Sequence, residues 1–581
     1  LVDLIHEPLI RLTPDGRLGP GLARQWRWLK RVTAWFADGP SATAARQRLH
    51  QAQSQWPAWH LGYAKAEGRT LELSFTDPLQ GSVRDALRTA NARVQAVSIF
   101  RIDAQNLADK AHLAIVSNPV LSSPVQRWWM NGSNGLELAV AGADPDYQPA
   151  LQRHLERSLP EGATVSVRLV SSQPVLEEPV LEFTLRDDAR WHDGTPVTGN
   201  DVRATWESIS SRGWSLPNAE GLRMIRAVES PSPSHVHIVL WRHYGPALCA
   251  WIGLPILPAG WLKDHPVDNL GRVFQLAMPQ GAGPCKIEHR DYSSLVVRPV
   301  QSQHDNVRRL TLVTSLSSFS SQLGYRTRSL DMFWPHAEAL VETPDDEPLT
   351  TRPTPPRSVV QLAFNTRRDP LQNPLVRQAL ASAIDRRVLV ATAAAGVATP
   401  HASLFAPGLW LSVQPQIPAG DPQLAEQKLA SAGWLRNAAG TAASIRGALV
   451  FKLLTPDDDA RLLRLALALR VQWARLGIQV VVQSLPRSTL MGLLSQGSYD
   501  AALVDSVPPV SWDLTAAWHS QSSANTTGYA SRPIDLLLEG LVQEFDSNEA
   551  AIRTRRLESL ILADCPVIPL ATLHENTMLR A

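Results

Sequence analysis

Apolar and polar positions are ordered most plainly from Val359 to Val390, VVQLAFNTRRDPLQNPLVRQALASAIDRRVLV. Val359, Val360, Leu362, Ala363 and Phe364 form an apolar, β-branched-rich run that stops at Asn365. Beyond a Pro/Asn-rich turn, Val376, Ala379, Leu380, Ala383 and Ile384 recur at intervals of three and four, so a buried strand is predicted to feed an amphipathic helix. The same alternation recurs along the chain. Residues 135 to 172 and 448 to 485 both read strand, helix, strand, and 421 to 434 reads as a helix ended by a glycine C-cap. Short strands are expected at Ile225 to Val228, Val236 to Leu240 and Tyr499 to Asp505. Near the start, a helix-like turn carrying His6 and Glu7 runs into a short strand that Pro14-Asp15-Gly16 reverses. The fold class expected is α/β.

At 581 residues the chain exceeds what one hydrophobic core usually supports, so two or more lobes are expected. With 44% apolar and 19% charged residues and a net charge of +2, it is neither disordered nor strongly basic. No Lys/Arg-rich block stands out, so charge supports no nucleic-acid partner. No run of about 18 apolar residues predicts a bilayer span, which leaves a lipid anchor or a membrane partner as the membrane connection. The opening LVDLIHEPLI has no charged n-region or h-region, so any secretory signal or anchor cysteine would precede Leu1. Cys249, Cys285 and Cys565 leave room for one disulfide and have no zinc spacing, so no metal or cofactor is expected. Mechanism-bearing motifs of hydrolases, zinc proteases and nucleotide enzymes are absent, and His192-Asp193-Gly194 reads as a turn before a helix starting near Thr198 to Asp201. The 19 tryptophans suit both cores and binding clefts.

Residues 30 to 178 contain weak echoes of later segments. VTAWFADGPSATAARQRL (32 to 49) parallels ARWHDGTPVTGNDVRATW (189 to 206), and TLELSFTDPLQGSVRDAL (70 to 87) parallels HVHIVLWRHYGPALCAWI (235 to 252). The third echo is the shared rhythm of 135 to 172 and 448 to 485. Their order suggests an internal duplication or an inserted α/β unit, compact rather than a loop.

Several phrases resemble the dipeptide/oligopeptide-type (family 5) extracytoplasmic solute-binding proteins that feed ABC importers. FNTRRDPLQNPLVRQALASAIDRRVL is similar to the family's "N-T-x-x-x-P…V-R-x-A-[LI]-x-x-A-[IV]-D-[KR]" phrase, and FTLRDDARWHDGTPVTGNDV to its "L-R-x-x-[VA]-x-[WF]-H-D-G-x-P-[VL]-T-A-x-D-V". LIHEPLIRLTPDGRLGPGLARQW, DPQLAEQKLASAGW, ANTTGYASRPIDLLLEGL and CPVIPL match further phrases in the family order. GAGPCKI stands where the family writes "G-T-G-P-[YF]-[KR]-[LI]", with Cys285 in place of an aromatic residue. About forty family residues before the first phrase are missing, and some 150 are interposed after it.

The resemblance implies a two-lobed periplasmic-binding-protein type II fold (cluster C) with an additional α/β segment inserted in lobe I. Lobe I would start with 1–29 and, after the interposed 30–178, continue through 179–358. Lobe II would span 359–505 and 506–581 would return to lobe I, with neighbouring crossover strands near Val360 to Asn365 and Tyr499 to Asp505. It implies a non-enzymatic, periplasmic or otherwise extracytoplasmic receptor that closes on a small-molecule or peptide ligand and delivers it to an ABC transporter permease. Carried over by match, the ligand-binding candidates are His6, Glu7, Trp334, Asn365, Trp410, Trp518 and Asn525, with Asp505, Trp512 and Asp513 around the slot where peptide-binding members hold an acidic group for the ligand ammonium. That slot falls near Pro508 and Pro509 here, so the ligand expected is neutral or weakly charged and partly apolar, stacked on Trp410 or Trp512 with Asn365 as a polar contact. Two other readings share the resemblance: a sensor domain of a transcription regulator, and a degenerate receptor-like domain that docks another protein.

Overall fold

The computed structural model describes residues 2–13, 16–77, 82–104, 107–131, 135–160, 162–212, 219–265, 280–291, 293–300, 308–313, 317–333, 350–353, 358–394, 398–412, 416–445, 447–574 and 576–579. The chain divides into two compact units, the first of residues 1–12, 19–291 and 295–312, the second of 13–18, 292–294 and 313–581.

The first unit is built on a six-stranded antiparallel sheet. Its elements are β1 (Ala23–Trp35), α1 (Gly39–Gln51), β2 (Leu61–Glu67) and β3 (Thr70–Phe75). Then come β4 (Val97–Ala104), α2 (Ala108–Val116), β5 (Val125–Asn131), β6 (Gly135–Ala141), α3 (Tyr147–Ser158) and β7 (Val165–Gln173), followed by β8 (Leu176–Leu185), α4 (Gly199–Arg212), β9 (Ile225–Ser232) and β10 (His235–Leu240). The main sheet runs β9-β10-β8-β1-β3-β2. It consists of two copies of one topology: a strand, a helix, and a hairpin whose second strand pairs with the first strand of its own copy. In one copy β1 pairs β3 from Lys30↔Phe75 to Trp35↔Thr70, and in the other β8 pairs β10 from Val180↔Val239 to Thr184↔His235. Even the bond that ends each ladder repeats, Phe36 N donating to Arg69 O and Leu185 N to Ser234 O, both at 2.8 Å. These are the stretches that echo one another in the sequence.

The expected segment ends, residues 30 and 178, lie inside β1 and β8. β1 and β8 pair with each other along almost their whole length, Leu176↔Thr33 through Leu185↔Ala23, so the two ends of the stretch are tied together in one sheet. Within the stretch, 97–173 makes a sheet of its own, β5-β6-β4-β7, wholly antiparallel. With α2 and α3 as crossovers this is a β-α-β-β-α-β arrangement. The third sequence echo therefore shares rhythm only: β6 and β7 are separated by β4, whereas their counterparts in the second unit pair directly.

β1 shows how the layers stack. Because side chains alternate along a strand, Val32, Ala34 and Phe36 turn to one face, where they join Leu71, Leu73, Phe75 and the α1 residues Ala42, Ala45 and Leu49. Trp35 turns to the other face and meets Val97, Ile99, Trp129 and Ala139 of the four-stranded sheet. That sheet-to-sheet contact is ionic as much as apolar. Glu178, fully buried, accepts from Arg31 at 3.0 Å, Arg127 at 2.6 Å and Arg226 at 3.5 Å, and Arg31 also reaches Glu229 at 2.6 Å. Arg226 approaches Glu137 at 3.6 Å, while its guanidinium lies 3.2 Å from the Trp129 ring centroid and 4.9 Å from that of Trp241. Burial pulls Arg226 down to about 10, against the opposing pull of Glu178 and Glu137, so it stays cationic at neutral pH.

The second unit holds a mixed sheet. Its strands are β11 (Val359–Phe364), β12 (Ala398–Pro400), β13 (Val450–Pro456), β14 (Gln479–Leu485), β15 (Ala501–Ser506) and β16 (Val567–Leu573), in the order β12-β16-β11-β15-β13-β14. β11 and β15 are antiparallel neighbours from Val359↔Ser506 to Phe364↔Ala501, the adjacency expected of the two proposed crossover strands. β13 and β14 run parallel, linked by α5 (Ala460–Ala474), whose Trp473 is fully buried and donates from its indole to Leu380 O at 3.1 Å.

Two lobe expectations change here. Residues 506–581, expected to return to lobe I, cluster with this unit, and 313–358, expected in lobe I, does so as well. All seven residues of β16, VIPLATL, are buried, and a strand apolar on both faces needs a central slot; it finds one between β12 and β11. All three cysteines are free, so the expected room for a disulfide is unused. Among the described residues no helix is long and apolar enough to cross a membrane and no cluster of three His, Cys, Asp or Glu could hold a metal.

Candidate ligand-binding site

In the second unit Trp410 lies on the loop after β12. Its ring is half-buried and meets the ring of Trp512, which is fully buried, edge to face at a centroid distance of 5.5 Å. Neither indole N–H has an acceptor among the described residues. The loop is fastened at its tip: Trp410 N donates to Gly16 O at 2.9 Å, and a Cβ on Gly16, whose φ is +74°, would fall 1.4 Å from Gly408 O. Only glycine permits that approach. Trp512, fully buried, stands as a wall behind Trp410.

The polar candidates are mostly engaged inside the protein. Asn365 is buried; its amide donates to Gly497 O and Tyr499 O, both at 2.9 Å, and its Oδ1 accepts from Arg367 N at 3.2 Å. Both amide hydrogens and one of the two acceptor directions of Oδ1 are thereby used within the fold at the end of β11. Asn525 does the same for its own turn, donating to Tyr529 O and accepting from Thr527 and Gly528. Trp518 is buried at the end of a single helical turn, and Asp513 caps Thr515 N at 2.9 Å. Asp505 pairs with Arg487 at 2.7 Å, and Arg487 also binds Asp458 at 2.7 Å. Those two carboxylates, Asp458 first, hold the guanidinium well above its ordinary value. Val507 is exposed beside Pro508 and Pro509, and the carboxylate that precedes them, Asp505, is engaged by Arg487. Trp334 lies outside the described residues, as do Pro14 and Asp15 of the expected turn.

In the first unit, His6 and Glu7 lie in the turn clasped by the GAGP loop. Gly283 N donates to Ile5 O at 2.9 Å, and a Cβ on Gly281 would fall 1.7 Å from the same oxygen. Glu7 pairs with Arg186 at 3.1 Å, and burial raises its pKa against that cation's pull. His6 is buried beside His192, and burial followed by that neighbour lowers it from 6.5 to about 4. Below pH 6.5 the unfolded chain binds a proton here that the folded chain refuses until about pH 4, so this group withdraws stability as pH falls through that window. Between pH 6.5 and 5 the first unit should lose roughly 2 kcal/mol from this histidine. Denaturant titrations across that range should show the slope in the wild type and a flatter one in His6→Gln; equal slopes would contradict it.

Three comparisons bear on this arrangement. The family model described as "Bacterial extracellular solute-binding proteins, family 5 Middle" matches residues 170–528, more than half of the chain. The chain is a family 5 extracellular solute-binding protein. It is 22% identical over 403 residues to the probable D,D-dipeptide-binding periplasmic protein DdpA of Escherichia coli, covering 66% of this chain and 75% of the relative. It is 23% identical over 418 residues to the glutathione-binding protein GsiB of Salmonella typhi, covering 67% and 76%. A crystal structure of a nickel ABC transporter from Bacillus halodurans aligns with a TM-score of 0.58 at 18% identity, over 69% of this chain and 83% of the other, and shares its mixed α/β fold. This family 5 protein is thus a receptor that binds a solute and not an enzyme.

Arg487 was missed by sequence reasoning. It is 18 residues from Asp505, at the far end of the β14–β15 connection, and 29 from Asp458, before α5, and no local pattern announces either pairing. Gly16 carried a signal, as the glycine of a turn, though its partner at Gly408 could only come from folding.

Proposed function

We propose that this receptor captures a small, neutral or weakly charged, partly apolar solute by closure of two lobes and hands it to an ABC permease, with any membrane connection made through that permease or a lipid anchor. The observation that carries the ligand class is the Asp505–Arg487 pair at 2.7 Å beside a slot occupied by Pro508 and Pro509, which leaves a ligand ammonium without a free carboxylate. Burying an unpaired ammonium costs several kcal/mol, so such ligands are disfavoured. Trp410 supports the apolar half: its ring is partly accessible, backed by Trp512, and tied in place by Gly16. The named relatives take ligands as different as a dipeptide and glutathione, so the class sets the mode of capture and leaves the ligand to the local residues.

The lobes are proposed to follow the two compact units, with 97–173 as an α/β addition to the first lobe and the twofold strand–helix–hairpin pattern as a worn duplication. The support is that 97–173 has its own sheet and its own apolar core around Ile102, Leu138, Leu151 and Leu155.

Native mass spectrometry of the purified protein should reveal a co-purified small molecule, and calorimetry should rank neutral or N-acetylated ligands above free peptides. Trp410→Ala should weaken the best ligand by about 1–3 kcal/mol, the cost of losing a buried aromatic anchor. Micromolar or tighter binding that requires an unblocked amino terminus would overturn the ligand class and point to Asp513.

A further inference from the structure

The first unit carries a groove that the capture of a solute at Trp410 does not use. It has a volume of about 480 Å³ and opens at the rim between the two sheets. Arg69, at the β2–β3 turn, forms one side; Gln95, Val120, Ser123, Pro124 and Gln126 are among the residues that form the rest. The size lies within the range of small-molecule sites. Its walls are fixed by backbone bonds: Phe36 N donates to Arg69 O at 2.8 Å, Gln95 N to Trp35 O at 2.8 Å, and Ala141 N to Pro124 O at 3.2 Å.

The chemistry of the lining is one-sided. No acidic side chain is among the lining residues, and Arg69 is the one cation. Among the described residues the Arg69 guanidinium, the Gln95 amide and the Ser123 hydroxyl make no bond within the protein, and Gln126 spends its Nε2 on Pro124 O at 3.1 Å, which leaves its Oε1. A guanidinium offers a planar pair of donors that fits a carboxylate, and amide and hydroxyl groups can complete the shell. Beside them lie Pro124 and Val120, the latter 80% exposed, an apolar side chain left open to water next to a cation.

We infer that this groove is a second binding site of the receptor, for a small organic monocarboxylate with a short apolar tail: the carboxylate on Arg69, the tail against Val120 and Pro124. One cation and neutral donors suit a single negative charge, whereas a phosphate dianion would be left half-neutralised. The inference does not depend on the ligand class proposed for Trp410, which lies in the other unit.

Calorimetric or ligand-observed NMR titration of the whole protein with sodium hexanoate tests it, with hexanamide and inorganic phosphate as comparison probes. Saturable hexanoate binding is expected, at least about tenfold weaker in Arg69→Gln and in Val120→Glu, since both changes remove or oppose the charge-assisted bond. Both positions are exposed, so both variants should fold, and circular dichroism would verify it. Absent binding in the wild type, binding unchanged in both variants, or hexanamide or phosphate matching hexanoate would each overturn the site. Because a solute held at Trp410 would be insensitive to both substitutions, failure here leaves the primary reading standing.

Discussion

Glu178→Gln should destabilise the first unit by about 3–5 kcal/mol, the usual cost of removing one partner from a buried ionic group. Glu178 has no exposed surface and is approached by three guanidinium groups, those of Arg31, Arg127 and Arg226. Glutamine keeps the shape and one acceptor oxygen and removes the charge. Arg31 retains Glu229, and Arg127 retains only Glu72 at 3.8 Å, so the excess positive charge falls largely on Arg226, already held at long range by Glu137 and sandwiched between two indole rings. The neighbouring Glu177→Gln is the control: its side chain is 41% exposed and lies 4.0 Å from Lys30, so its change should be within about 0.5 kcal/mol. Urea denaturation followed by tryptophan fluorescence, with Trp129 and Trp241 at the network, would read the difference. Equal stabilities of the two variants would mean that the four-stranded layer is held by its apolar contacts alone.

Asn365→Ala should cost the second unit about 2–3 kcal/mol, because one buried carbonyl, one part-buried carbonyl and one backbone N–H lose their partner together. Gly497 O and Tyr499 O accept from the Asn365 amide at the end of β11, and no other described side chain donates to either oxygen. In protein that remains folded, affinity for the captured solute should stay within about twofold of the wild type, since the cost falls on the fold. The two readouts separate the roles. A tenfold loss of affinity with unchanged denaturation would return Asn365 to the ligand.

Much of the second unit could be read without coordinates. The apolar run Val359–Phe364 became β11, and the helix with Val376, Ala379 and Leu380 on its buried side follows it over Pro374–Ser382. The adjacency of β11 and β15 also matched expectation, and their antiparallel direction came from the structure. These are local or strongly periodic signals, carried by residues close in sequence. The echoes of 32–49 with 189–206 and of 70–87 with 235–252 were weak in the sequence, and only the strand pairing shows that these stretches lie in two copies of one topology within one sheet.

By itself, the order of apolar, turn and helix-forming residues determined that this chain is α/β, because strand and helix periods are written along the backbone, while the receptor reading came from the resemblance of its phrases to those of a known family. Tertiary structure alone decided which charged residues are free to meet a ligand. Asp505 and Arg487, Gly16 and Trp410, and Glu178 with its three arginines are all pairs or groups of distant residues. An ion pair or a close backbone approach depends on distances of a few ångströms between segments that folding brings together, and a linear pattern of residue types holds no record of those distances. For that reason the sequence could name Asn365 and Trp512 as ligand contacts without showing that both are buried and that Asn365 is bonded to Gly497 and Tyr499.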